Sequence, residues 1–156
     1  MLGPNLIQNG SFEAGVDTLW KLARADPAAA ASVSAETAAP YSPKIAAKID
    51  IQAASNRQIG IAYQQAGFPI QAGALYRVSI ALKSNDLRSV RIRVADAATS
   101  QLLGSRNFQI GAGWTVETFD FSSFIGSDFA VFSIDVGESA QPVWVDDVSL
   151  ARIPPG

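Results

Sequence analysis

Tyr76, Val78, Ile80 and Leu82 alternate with Arg77, Ser79, Ala81 and Lys83, and the same period of two recurs along most of the chain. Successive side chains of a strand point to opposite faces, so each such run reads as a strand with one face in a core and one in water. Ile45, Ala47, Ile49 and Ile51 alternate with Ala46, Lys48, Asp50 and Gln52. Ile59, Ile61 and Tyr63 form a row opposite Gly60, Ala62 and Gln64. Val90, Ile92 and Val94 alternate with Arg91 and Arg93, and Ala130, Phe132, Ile134 and Val136 form a further inward row, with Phe129 and Val131 facing outward. Leu102, Phe108 and Ile110 point in, Asn107 and Gln109 out, and Thr115 to Phe121 brings Phe119 and Phe121.

Turn residues separate these runs: Asn9-Gly10, Gly67 to Gly73, Asn85-Asp86, Gly111-Ala112-Gly113 and Gly137 to Pro142. Asn5 to Gln8 and Leu19 to Leu22 read as short strands, with Trp20 in the core or at its edge. The tract from Ala23 to Pro40 is rich in alanine, which by propensity alone favours helix. Yet Ala31-Ser32-Val33-Ser34-Ala35-Glu36 alternates, and Pro27 and Pro40 bound the tract, so it reads as a strand followed by a loop. About ten short strands at even spacing, with no convincing helix, predict an all-β fold: an antiparallel β-sandwich, a jelly roll of two packed sheets. The 156 residues make one domain, residues 1–156.

Composition narrows the function. The net charge of −2 leaves no basic footprint for nucleic acid. Without Cys there is no disulfide framework or thiol chemistry, and without His the commonest general base and zinc ligand are absent. No apolar run approaches the roughly 20 residues of a membrane-spanning helix. Met1-Leu2-Gly3-Pro4 leads straight into the first strand with no signal peptide, as in an excised module, a protein exported without a signal, or a small complete gene product ending in Ile153-Pro154-Pro155-Gly156.

The last strand, Val143 to Leu150, carries two adjacent carboxylates, Asp146 and Asp147, in an apolar run. Burying such charge requires a partner or a metal. The opening stretch Asn5 to Glu13 supplies one reading: the ends of the domain meet, and Glu13 and Asp146 hold a hard cation. The other is that both aspartates are strand-end acids, hydrogen-bonded to backbone or solvated.

These two stretches also carry a family resemblance. Asn9-Gly10-Ser11-Phe12-Glu13 with Trp20 downstream, closing on Val145-Asp146-Asp147-Val148-Ser149-Leu150, resembles the carbohydrate-binding modules of families four, nine, sixteen and twenty-two. Gly73-Ala74-Leu75-Tyr76 is similar to their Gly-x-x-Tyr strand start, and Trp114 opens a strand after a Gly-rich turn as a family Trp does. The resemblance spans residues 5–151 and implies a structural calcium clamping the first segment to the last strand, with Glu13 and Asp146 giving carboxylates and Ser11 and Lys44 giving carbonyls. The sequence departs from the pattern at Pro43-Lys44, where Gly-Lys is frequent, and at Ala81, where some members carry an aromatic.

A glycan-binding surface needs aromatic faces and hydrogen-bonding side chains. Arg77, Lys83, Arg91 and Arg93 sit on the polar faces of two consecutive strands, with Gln64, Asn107 and Gln109 able to join them. Tyr41, Tyr63 and Trp144 are the candidate platforms. Arginines at alternating strand positions are also what an ordinary solvated face contains. Acids elsewhere are scattered (Glu36, Glu117, Asp120, Glu138), with no carboxylate pair for glycoside hydrolysis, no Gly-x-Ser-x-Gly elbow and no phosphate-cradling loop, so the chain is not expected to be an enzyme. Two functions remain. One is a non-catalytic, extracellular module that binds a polysaccharide and is linked to a glycoside hydrolase or an adhesin. The other is a virion protein of a phage capsid or tail, which uses the same fold for assembly with other virion subunits.

Overall fold

The computed structural model describes residues 2–37 and 45–155. Ten strands run in chain order: β1 Lys21–Arg24, β2 Ala30–Glu36, β3 Ala46–Ala53, β4 Ile61–Ile70, β5 Leu75–Ser84, β6 Arg88–Asp96, β7 Leu102–Ile110, β8 Thr115–Ser122, β9 Ser127–Asp135 and β10 Val143–Arg152. The one helical piece among the described residues is a 3₁₀ turn at Gln58–Gly60. The strands form two five-stranded sheets, ordered β1-β4-β9-β6-β7 and β2-β3-β10-β5-β8, every pairing antiparallel. This is the β-sandwich jelly roll that the alternation predicts. The alanine tract does form a strand, β2, on the edge of the second sheet, where small side chains pack against β3.

The inward rows meet between the sheets. Tyr63, Ile92 and Ile134 come from the first sheet, and Ile49, Ile80 and Val145 from the second, all with no exposed surface. Burying each such side chain contributes about 1.5–3 kcal/mol, so these rows dominate the stability of the domain. One end of the core is aromatic. Trp20 stacks on Tyr63 with centroids 5.0 Å apart, Phe12 lies 5.3 Å from Trp20, and Phe132 meets Trp20 edge-on. The polar tips of these rings hold the loop that covers them: Trp20 Nε1 donates to the Asn9 carbonyl at 3.0 Å, and the Tyr63 hydroxyl donates to the Val16 carbonyl. Burial pushes the Tyr63 phenol well above its ordinary range, so it stays a neutral donor.

The ends of the chain are neighbours. β3 pairs with β10 only over Val143 to Val145, leaving that edge of the rest of β10 open. The N-terminal segment takes it: Gly3 and Leu6 donate to the carbonyls of Arg152 and Leu150 at 2.8 and 2.7 Å, and Val148 donates to Gly10 at 2.9 Å. Asn5 clamps the join, its Oδ1 accepting from Ile7 and Leu150 and its Nδ2 donating to Val148. These residues are bent rather than a regular strand, contrary to the strand expected over Asn5 to Gln8, because Asn5 turns its own segment while bridging to β10. At Gly10 a Cβ would lie 2.1 Å from the Val148 carbonyl oxygen, so only glycine fits.

Candidate functional site

The outward face of the first sheet forms an open groove of about 650 Å³. Its floor is small and apolar, with Ala23, Ala62, Ala66, Ala95 and Val131, and short side chains here leave the depression. Register sets two ladders of side chains across all five strands. One runs Lys21, Gln64, Ser133, Arg93, Ser105, and the next runs Ala23, Ala62, Asp135, Arg91, Asn107.

Asp135 is fully buried at the centre. Its Oδ2 accepts from Arg91 Nε at 2.9 Å and Arg93 Nε at 3.0 Å, and Arg91 Nη2 lies 2.9 Å away. Its Oδ1 accepts from the Ser133 hydroxyl at 2.6 Å and from Arg93 Nη2 at 3.4 Å. Gln64 Nε2 donates to the same hydroxyl at 3.1 Å. Gln58, on the 3₁₀ turn, donates to Asn107 Oδ1 at 2.9 Å, next to Arg91 in the second ladder. The buried carboxylate therefore orients two guanidiniums, which keep side-chain exposures of 29% and 11% and face the groove. At the entrance to β6, Arg88 is buried and donates to the carbonyls of Ser89, Val136, Ser139 and Gln141, which tie down the β9–β10 connection. Loss of solvent pushes its guanidinium down to about 10.

Of the residues the sequence singled out for ligand contact, Gln64, Arg91 and Arg93 are brought together here. The other four are not. Tyr63 is a correction: it has no exposed surface and sits under Trp20, since it shares the inward row of Ile61. Arg77, Lys83 and Trp144 are a correction of a different kind. β5 and β6 are consecutive in the chain but lie in different sheets, so the row expected to run from Arg77 to Arg93 does not exist. Arg77 instead makes a two-pronged pair with Asp120 on β8, at 2.8 and 3.1 Å, which holds that carboxyl below the usual range. Trp144, in the central strand of the second sheet, is 7% exposed; the ammonium groups of Lys48 and Lys83 cover it at 5.1 and 4.7 Å, and its Nε1 donates to Glu36. Tyr41 lies outside the described residues. Phe129, which sequence reasoning placed outward but not at a site, shares the face of Val131 and is 57% exposed. Its ring covers Gly67, whose φ of +107° marks the bulge in β4.

The second candidate site lies at the join of the chain ends. Asp146 is fully buried and its Oδ1 accepts from the Asp147 amide at 2.8 Å. Asp147 itself has φ of +51° in a bulge of β10 and is exposed. Glu13 accepts from the Ile45 amide at 3.0 Å, at the head of β3, two residues before the Ala47–Val145 pair that Asp146 follows. Glu13 is thus tied to the head of β3 and Asp146 lies on β10, and Ser11 lies on the turn between Gly10 and Phe12. Lys44 lies outside the described residues. Among the described residues no group of three or more His, Cys, Asp or Glu gathers, so a cation here would need carbonyl oxygens to complete its shell. The donors that Glu13 and Asp146 offer are carboxylate oxygens, the ligand type that hard cations take.

No protein-family model matches the sequence, and no curated protein does. Solved structures match at the level of fold. The chain has the β-jelly-roll architecture of carbohydrate-binding modules. A CBM4 module aligns over 94% of this chain and 99% of its own, with TM-score 0.78 and 18% identity. The CBM22-1 xylan-binding domain of Paenibacillus barcinonensis Xyn10C aligns over 99% and 97%, with TM-score 0.71 and 11% identity. The enzymatically active domain of tailspike protein 4 of bacteriophage CBA120 aligns over 96% of this chain but 21% of its own, with TM-score 0.67 and 14% identity.

Proposed function

We propose that this chain is a non-catalytic, extracellular carbohydrate-binding module that takes a polysaccharide along the outward face of the first sheet. The observation that carries the reading is the groove itself: an open trough whose hydrogen-bonding side chains are held in place by a buried carboxylate. Hydroxyl groups would meet the arginine forks and Gln64, and the apolar face of a sugar ring would lie on the alanine floor. Among the described residues that line the trough Asp96 is the one carboxylate, so the pair that hydrolysis requires is not found there. In affinity electrophoresis against a panel of polysaccharides, at least one gel is expected to retard the protein. No retardation in any gel would overturn this reading. It would favour the second one, a virion structural protein, for which the likeness to a phage tailspike and the fully exposed Phe124 on the β8–β9 loop speak.

A structural calcium is the second part of the proposal. Glu13 and Asp146 would supply carboxylates and Ser11 and Lys44 carbonyls, and the ion would add its binding free energy to folding by tying the first segment to β10. At about one hundred times its dissociation constant, calcium would contribute about 2.7 kcal/mol. Chelation is then expected to lower the melting temperature by roughly 5–10 °C, with recovery on adding calcium back. A melting temperature indifferent to chelator would dismiss the ion.

A further inference from the structure

Resting on the glycan reading, we propose that the groove is built for an acidic polysaccharide, with a carboxylate or sulfate group seated on the paired guanidiniums of Arg91 and Arg93. Two cations share one carboxylate here. Both oxygens of Asp135 are taken, and it has no exposed surface, so it holds the arginines and cannot itself meet a ligand. One positive charge is left over at the centre of the trough.

The donors are left over too. Each arginine carries five N–H groups in a planar fork. Arg91 spends Nε and Nη2 on Asp135, and Arg93 spends Nε and Nη2 on Asp135 and Ser133. Among the described residues neither Nη1 group has a partner, and no buried side-chain nitrogen or oxygen lacks one, so these amino groups open to the groove. A planar fork with free N–H groups matches the geometry of an oxyanion.

Further charges flank the centre of this face. Asp96, at one end of the groove, has its Oδ1 on the Ser127 hydroxyl of β9 and its Oδ2 on the Thr99 amide and hydroxyl, hydrogen bonds that keep it ionised, so it opposes an acidic group at that end. Lys21 stands in the same ladder as Arg93, three strand spacings or about 14 Å away, within reach of a second acidic group on one extended chain. The floor, by contrast, offers a neutral sugar no aromatic platform among the described residues that line it.

The test is retention of the full chain by polygalacturonate, a sulfated galactan, neutral galactan and xylan, each at low and high salt. Retention by an acidic polymer that falls steeply with salt is expected, and which of the two acidic polymers retards the protein tells carboxylate from sulfate. Arg91→Gln leaves Asp135 paired with Arg93 and is expected to weaken acidic-chain affinity about tenfold, with Arg91→Lys recovering part of it and the melting temperature nearly constant. Salt-insensitive binding to the neutral polymers alone would overturn the acidic class while leaving the glycan reading standing. Binding to none would overturn both.

Discussion

Gly10→Ala is expected to destabilise the domain by about 3 kcal/mol, the upper end of what overpacking a fixed site costs, and so to lower its melting temperature by roughly 6–12 °C. The added Cβ would lie 2.1 Å from the Val148 carbonyl oxygen, 3.1 Å from its carbon and 3.4 Å from its nitrogen. Those atoms are backbone of β10, the central strand of the second sheet, at the bulge just before its pairing with β5 resumes at Ser149. They cannot rotate away as a flexible side chain would. The N-terminal segment cannot retreat cheaply either, because the Gly10 carbonyl accepts from Val148 at 2.9 Å and the adjacent Asn9 carbonyl accepts from Trp20. Separation would therefore loosen the terminal join and the aromatic end of the core together. Gly113→Ala is the control, since nothing lies within 4 Å of its added Cβ; it is expected to change stability by no more than about 0.5 kcal/mol. Thermal melts of the two variants decide the matter. Equal melting temperatures would mean that the first segment does not dock on β10 as described.

The same join shows what the sequence could reveal. Which residues face inward followed mostly from a period of two, because burial on one face imposes it directly; Leu102 is the exception, since the register shift in the β6–β7 pairing turns it outward, 53% exposed, and buries Leu103 instead. Trp20 fell in the core as its place among apolar neighbours suggests. Which sheet a strand joins left no such trace. Asn85-Asp86 reads as a turn whether it returns the chain to its own sheet or carries it across to the other, and it does the latter, which separates Arg77 and Lys83 from Arg91 and Arg93. Tyr63 carries its own signal: it shares a row with Ile61, which points inward, and an inward ring cannot be a platform. Asp135 was invisible for another reason. In Phe132-Ser133-Ile134-Asp135 it occupies an outward position, where an acid ordinarily meets water. Its partners lie 44 and 42 residues away in sequence, and only the β6–β9 pairing brings them opposite it. Two arginines at i and i+2 on one face were the legible half of the cluster; the carboxylate that orders them required the topology.

That cluster makes Asp135→Ala the second large effect. Removing the carboxylate leaves Arg91 and Arg93 facing one another with nothing between them and deprives the Ser133 hydroxyl of its acceptor. Breaking a buried ion pair from one side costs about 3–5 kcal/mol, and here two mostly buried guanidiniums, 29% and 11% exposed, would be left to repel each other. The expected fall in melting temperature is roughly 6–20 °C. Stability and recognition can then be separated. Asp135→Leu combined with Arg91→Met and Arg93→Met replaces the whole cluster with apolar side chains of similar length, a change that is often neutral or stabilising for buried ion pairs. This triple variant is expected to regain most of the melting temperature and none of the polysaccharide retention. A single Asp135→Ala variant that melts like the parent would show that the carboxylate does not hold the groove in shape. A stable triple variant that still binds would show that the paired Arg91 and Arg93 forks do not hold the sugar, leaving Arg24 or another surface to do so.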